Sequence, residues 1–402
     1  MTDTTLLRTL ADPSSRPDPY SVYERFREEP ISVQDDGTYV VSTYREISAL
    51  LHDPRISSDP RNQPDPGEVP PFFPFIAQDP PGHDRLRRLA MRQFGPPHNA
   101  GLVARSEPEI RRLVDELLAA VADRKRIDVV DDFAYPLPVA VICRLLGVPR
   151  EDESKFHVWA DAIIAAAGAG DQQGADQLIQ KGQEARQSVF AYLGELIARH
   201  RSDPGDDLLS RLATEPDDDQ RMTDVDMQVT GVLLLVAGHE TTVNLITNGT
   251  LTLLRNPDVL ERLRREPEMS IRLVEELLRF EPPVQYLPNR STTADIDVGG
   301  TTIPKGSRVV LLLASASRDP RVVADPERFD PDRPDNQHFG FGGGVHFCFG
   351  APLARLETQI ALVALAQRLR NPRLLEDTPP YRPSPVLRGP RHLPVEVDRI
   401  DP

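Results

Sequence analysis

The sequence predicts a mainly α protein with a small β region, and three observations carry that prediction. Nine segments between residues 83 and 369 repeat apolar side chains at the helical period. Strand-like segments are few and short, one near residue 40 and the others between 296 and 313. The composition is that of an ordinary globular chain, 39 % apolar, 27 % charged and 6 % aromatic.

Taken in order, residues 38–42 read as extended and 46–52 as a short helix. Residues 60–81 are proline-rich and carry Phe72, Phe73, Phe75 and Ile76. That combination predicts a long irregular loop with an apolar inner surface, of the kind that covers a pocket. Helices follow over 83–93, 107–123, 137–146, 151–167, 180–200, 223–254, 257–265, 270–280 and 351–369. Gly299-Gly300 between 296–298 and 301–303 signals a hairpin, and 308–313 is a short apolar strand. Apart from a small-residue run at 165–170 there is no low-complexity tract. The 40 prolines, about twice the usual share, stiffen connecting segments. Length alone allows two or three domains, but no linker or break in composition divides the 402 residues, so one domain over 1–402 is expected.

Lys and Arg total 47 against 62 Asp and Glu, a formal charge of -15, which excludes nucleic acid and anionic lipid as default partners. Cys143 and Cys348 cannot make a disulfide framework or a tetrahedral zinc site, which points to a reducing, cytoplasmic setting. The first twenty residues are polar and proline-broken, unlike a secretory signal. The apolar run 232–237 is far short of a membrane span, so no membrane association is expected.

The most informative segment is HFGFGGGVHFCFGAPLAR, residues 338–355, where a glycine-rich loop delivers Cys348 just before a helix. Backbone N–H groups and a helix N-terminus there favour thiolate over thiol. Three readings fit such a cysteine: a small buried apolar residue, a nucleophile partnered by His346, or an axial ligand of haem iron, whose sulfur promotes O–O cleavage. The last needs small residues so that the loop can approach a flat macrocycle, and Gly342, Gly343, Gly344 and Gly350 provide that room. Phe341, Gly344, His346, Cys348 and Gly350 match FxxGxHxCxG, and on this motif the chain resembles the cytochrome P-450 family, with APLAR typical of its soluble bacterial members.

Other segments match in the right order. Ala237-Gly238-His239-Glu240-Thr241-Thr242 lies in the long pattern 223–254 and resembles the family's central-helix motif. Read by itself, a glycine there marks close packing and a threonine bonds back to the preceding turn. The resemblance implies instead a local widening at Gly238 that admits water and oxygen, Thr241 holding dioxygen, and Glu240 relaying protons. On 270–280, spacing makes Glu276 with Arg279, Glu275 with Arg279, and Arg272 with Glu276 equally reachable. The resemblance selects Glu276 and Arg279 as a buried scaffold pair, joined by Arg328 or Arg333 of ADPERFDPDR. His83 and Arg87 share a helix face at i,i+4, and with Arg290 and His346 they match the family's donors to the haem propionates, which must be neutralised if buried. Arg85, Arg88 and Arg92 fall roughly opposite, and a basic face there suits an acidic redox partner.

The resemblance implies the family's triangular-prism fold and a haem-thiolate monooxygenase, which hydroxylates or epoxidises a lipophilic molecule with O2: a polyketide or macrolide, a terpenoid or steroid, or a fatty acid. Cofactor-binding residues would be His83, Arg87, Ala237, Arg290, Phe341, Gly342, His346, Cys348 and Gly350. The cofactor would be non-covalent haem b, since no CxxCH motif occurs. No dinucleotide fingerprint is present, so electrons would come from a separate iron-sulfur ferredoxin and an NAD(P)H-dependent ferredoxin reductase. Gly343 and Phe349 depart from the usual pattern beside the cysteine, while the intact acid-alcohol pair argues against the peroxide-dependent branch. By resemblance the pocket is lined by Phe72, Phe73 and Phe75, by Leu233, Val236 and Ala237, by Gln285, Tyr286 and Leu287, and by Val386 and Leu387, with Gln285 and Tyr286 as orienting groups. A haem-binding sensor without turnover and a Cys-His hydrolase are the competing classes.

Overall fold

The computed structural model describes residues 6–401 except 68, 70–71, 95–100, 168–174, 216–220 and 335, so part of the small-residue run at 165–170 lies outside the described residues. Helices dominate, and the one that organises the others is Asp224–Arg255. Thr223 starts it with a capping box: its side chain accepts from the Asp226 N–H while the Asp226 carboxylate accepts from the Thr223 N–H. Its 32 residues pass through the core against helices Pro136–Leu146, Ala175–Ser202 and Ala351–Arg368. The helix is long and apolar enough to cross a membrane, its most apolar 18-residue stretch having a mean hydropathy of 1.4, but 61 % of that stretch is buried inside the protein, as in a core helix.

Helix bounds follow the periodicity closely, with Pro257–Arg265 and Ser270–Phe280 as predicted. One start differs. The helix predicted from residue 107 runs Leu102–Ala119, so Pro108, which reads as a first-turn proline, sits inside it. Two N-terminal helices, Leu6–Ala11 and Tyr20–Glu28, have no counterpart in the sequence reading. They bury Tyr20, Tyr23 and Phe26 against Val40, Val310 and Leu312.

The main sheet has five strands in the order Ile31–Val33, Tyr39–Val41, Arg308–Leu311, Leu287–Thr292, Ile56–Ser57. Tyr39–Val41 and Arg308–Leu311 pair in parallel, and the other neighbours are antiparallel. The predicted hairpin is present as Ile296–Val298 with Thr301–Ile303. Residues 308–313 do not stay extended: the strand ends at Leu311 and Leu313–Ala316 forms a helical turn. The unpredicted strand Leu287–Thr292 contains Pro288 and Asn289, and its register shifts between Leu287 and Arg290, so alternation is broken where sequence patterning would look for it.

Candidate active site

The loop that carries Cys348 folds as it does because of its glycines. Gly342 and Gly344 have φ of 68° and 62°, and a Cβ on Gly344 would overlap the Leu51 carbonyl oxygen. The Cys348 N–H donates to the Phe341 carbonyl (2.9 Å), and helix Ala351–Arg368 begins three residues later with Pro352 in its first turn. Burial pushes the Cys348 thiol up; the N–H groups of Gly350 and Ala351 and the charges of Arg87 and Arg355 pull it down, and burial wins. The helix N-terminus therefore does not by itself make a thiolate here. A bound cation would take the proton's place.

Four donors converge near this loop, with Asp84 bonded to His83 Nδ1 (2.7 Å) and Asp79 facing Arg290 and His346. His83 and His346 lie edge to face with ring centroids 4.5 Å apart, and His83 Nε2 and His346 Nδ1 are buried without a hydrogen-bond partner. Burial first, then the charges of His83 and Arg290, hold His346 at about 4. Arg87 donates to the Phe347 carbonyl (2.7 Å), and burial lowers its pKa. Arg290 donates only to its neighbour's carbonyl, at Asn289 (3.0 Å), and burial lowers it to about 10, with Asp79 opposing. Such a set of buried and half-buried donors favours carboxylates as partners. The set fits a group that brings a metal to Cys348 and two acid side arms to these four residues.

Arg87, Arg290, His346 and Cys348 line one cavity of about 620 Å³, with Phe341, Gly342 and Gly350 of the cysteine loop. Ala237, Gly238, Thr241 and Thr242 line it from the central helix. Gly238 lies within an unbroken helical stretch. The helix is α throughout, the Thr241 hydroxyl donates to the Ala237 carbonyl (2.6 Å), and Ile142 Cδ1 occupies the space beside Gly238, 3.0 Å from where a Cβ would sit. Glu240 is buried on the outer side of the helix; burial raises its carboxyl to about 7 against the charge of Arg382.

The Cytochrome P-450 family model matches residues 32–392. The chain belongs to the cytochrome P-450 family. It is 39 % identical to the monooxygenase PikC of Streptomyces venezuelae, over 95 % of this chain and 92 % of that protein. It is 37 % identical to the 6-deoxyerythronolide B hydroxylase of Saccharopolyspora erythraea, over 98 % and 100 %. Among solved structures, ligand-free CYP164A2 of Mycobacterium smegmatis superposes with a TM-score of 0.88 at 43 % identity, covering 98 % of this chain and 100 % of that one. The fold is thus that of a P-450, the cofactor is haem, and the protein is an oxidoreductase of the monooxygenase class.

Behind the cysteine loop of this P-450, the scaffold pair is complete. Glu276 and Arg279 are fully buried and joined by two hydrogen bonds of 2.7 and 2.8 Å. Arg279 also donates to the carbonyls of Pro326 (2.8 Å) and Arg328 (3.1 Å). Arg333 is the third member: its Nε lies 3.5 Å from Glu276 Oε2, whereas the Arg328 side chain is exposed and only its carbonyl takes part. Glu275 turns to another partner. It binds Arg355 through two bonds of 2.6 and 2.8 Å, and Arg355 stacks over the Phe341 ring at 4.5 Å. Arg355 therefore supports the cysteine loop, a role that its spacing from Cys348 does not reveal.

The P-450 cavity takes only part of the predicted lining. Phe75, Leu233, Ala237 and Leu287 line it, joined by Ile76, Ile142 and Val284. Phe72 and Phe73 instead border a separate recess of about 180 Å³ beside Arg61. Gln285 and Tyr286 are not orienting groups. Val284 bridges Leu387 and the Gln285 N–H donates to the Val386 carbonyl (2.8 Å), so the alternating backbone turns Gln285 outward. There its side chain accepts from Tyr23 and donates to Pro282, while Tyr286 packs on the N-terminal helices. Val386, Leu387 and Val236 are not among the residues that line it. The predicted basic face also divides, because Arg85 pairs with Asp226 (3.0 Å) on the central helix, leaving Arg88 exposed.

Proposed function

We propose that this chain is a haem-thiolate monooxygenase that hydroxylates or epoxidises a neutral lipophilic molecule. The observation that carries the reading is that Cys348, the anion-seeking group formed by His83, Arg87, Arg290 and His346, and the Thr241 segment meet in and around one cavity. Cys348 would hold the iron of haem b, and those four donors would hold its propionates. When bound, the haem supplies reductive activation of dioxygen, one oxygen atom entering the substrate and the other leaving as water.

The chain's own residues do the rest. Phe75, Ile142, Leu233, Val284 and Leu287 bind an apolar substrate and exclude water. Among the described residues, the arginines that line the cavity are Arg87 and Arg290, both committed to the propionates. Among the described lining residues no further arginine and no lysine is left for a substrate carboxylate, which favours polyketide, macrolide, terpenoid or steroid skeletons over free fatty acids. The hydroxylation of 6-deoxyerythronolide B by a relative agrees with this. Thr241 orients dioxygen through its hydroxyl and Glu240 passes protons toward it. Electrons arrive from an iron-sulfur ferredoxin and its NAD(P)H-dependent reductase in the cytoplasm. Val345 and Phe347, exposed on the cysteine loop, with Arg88 on the helix that carries Arg87, offer that partner a mixed apolar and basic surface.

Two experiments test the reading. Cys348→Ser is expected to abolish the red-shifted Soret band of the reduced carbon monoxide complex, and an unchanged band refutes ligation by this residue. Titration with a substrate library, read by the haem spin-state shift, is expected to select neutral lipophiles. A preference for free carboxylates refutes the substrate class.

A further inference from the structure

Glu240 lies against a wall of buried polar groups that packing alone does not explain. On the central helix, Asn244 follows Glu240 by one turn, and neither its amide nitrogen nor its oxygen has a hydrogen-bond partner. Gly389 abuts Asn244 so closely that a Cβ would overlap its Oδ1, and the Gly389 carbonyl accepts from the Arg382 N–H (3.1 Å). The Arg382 guanidinium is buried, and its Nε and Nη2 are unpartnered. Its charge faces Glu240, Tyr135 and Asp161. The Tyr135 ring stands edge-on to His239 at 4.6 Å and stacks on His157 at 5.6 Å, and its hydroxyl donates to Asp161, which is exposed. His157 Nδ1 is again buried and unpartnered.

Buried polar groups are almost always satisfied, and where the protein offers no partner, water does so, provided that two or more such groups surround it. Asn244, Arg382 and His157 each carry such unpartnered atoms, and they lie around Glu240 and Tyr135. The wall begins at Glu240 and ends at the surface.

We propose that this wall is the proton path of the enzyme, entering at Asp161 and the Tyr135 hydroxyl and ending at Glu240, with Arg382 as the residue that positions Glu240. The proposal rests on the reading of Glu240 as the inner proton donor. Each transfer moves one proton inward along hydrogen bonds, so that every relay group regains its starting state, and the electrons come separately from the redox partner. Tyr135 suits the entry because burial and Asp161 keep it a neutral hydroxyl that both accepts and donates. Of the charged groups facing Glu240, Arg382 favours the carboxylate and Asp161 opposes it, while burial keeps His157 and His239 neutral. Arg391 stands beyond Arg382 and Tyr135.

The test has two arms. In the first, the Glu240 carboxyl stretch, assigned by its loss in Glu240→Gln, is titrated by infrared difference spectroscopy without turnover. Arg382→Gln is expected to raise the midpoint, so that the protonated band persists at pH values where the wild type has lost it, and Arg382→Lys is expected to restore it. An unmoved midpoint in Arg382→Gln overturns the positioning role. In the second arm, Tyr135→Phe and Asp161→Asn, both at the surface end, are expected to lower product formed per reductant several-fold and to change the solvent deuterium isotope effect on turnover. Wild-type coupling and isotope effect in both variants overturn the path. Wild-type coupling in Glu240→Gln would instead show that the reading of Glu240 itself is wrong.

Discussion

Thr241 has one hydroxyl proton, and in this structure it is given to the Ala237 carbonyl at 2.6 Å while the oxygen remains on the cavity wall. That leaves the oxygen free to accept and gives the side chain a fixed rotamer, which is what orienting a small ligand needs. Thr241→Ala keeps the helix and the haem pocket but removes the acceptor. Reductant consumption should continue, with most of it diverted to hydrogen peroxide, and Thr241→Ser should recover much of the product yield. Product and peroxide counted per NAD(P)H decide it; full coupling in the alanine variant would remove Thr241 from the mechanism. Single residues with distinctive chemistry were readable in this way because spacing and side-chain type specify them. Gln285 was not, since which way it points depends on the Val284–Leu387 bridge, a contact between segments a hundred residues apart.

At the scale of elements, helix Ser270–Phe280 shows why two adjacent acids do different work. Glu276 faces inward to Arg279 and Arg333, and Glu275 faces along the surface of the core to Arg355 and His338. Burial pushes Glu275 up, but the hydrogen bonds from Arg355 and His338 outweigh it and hold the carboxyl at about 2. A carboxylate depressed on folding contributes stability that is complete above its unfolded pKa, about 4.3, and is lost as pH falls toward the folded value. Glu275→Gln should therefore cost roughly 1–3 kcal/mol at pH 7, and the gap to wild type should narrow between pH 4.5 and pH 2. Denaturant unfolding at pH 7 and pH 3 measures both, and a gap that widens with acid contradicts the assignment. The periodicity predicted this helix to the residue. It gave no sign of strand Leu287–Thr292, where Pro288 and a register shift break alternation, nor of the short N-terminal helices, whose burial comes from a sheet formed much later in the chain.

For the whole molecule, the cavity and its rim join separate parts of the chain: Arg290 from the main sheet, His83 and Arg87 from helix Gly82–Phe94, His346 and Cys348 from the cysteine loop, Thr241 from the central helix. Asp79 offsets only part of the cost of burying the cationic members. Burial holds the Arg290 guanidinium at about 10, below its ordinary value, so the folded chain carries a charge it would be more stable without. With two propionates present the same charge becomes a reason for haem to stay. The two states thus respond oppositely to one substitution. Arg290→Gln should release haem to an apoglobin scavenger about tenfold faster than wild type, which at 1.4 kcal/mol per decade is one charge-assisted hydrogen bond. The haem-free variant should unfold at the same denaturant concentration as haem-free wild type or a higher one. If the haem-free variant is instead less stable by more than about 1 kcal/mol, beyond the scatter of a neutral surface change, then Arg290 serves the sheet through Asp79 and not the cofactor. Faster haem loss together with an unharmed apoprotein would mean that this protein is built around a charge balance that only its cofactor completes.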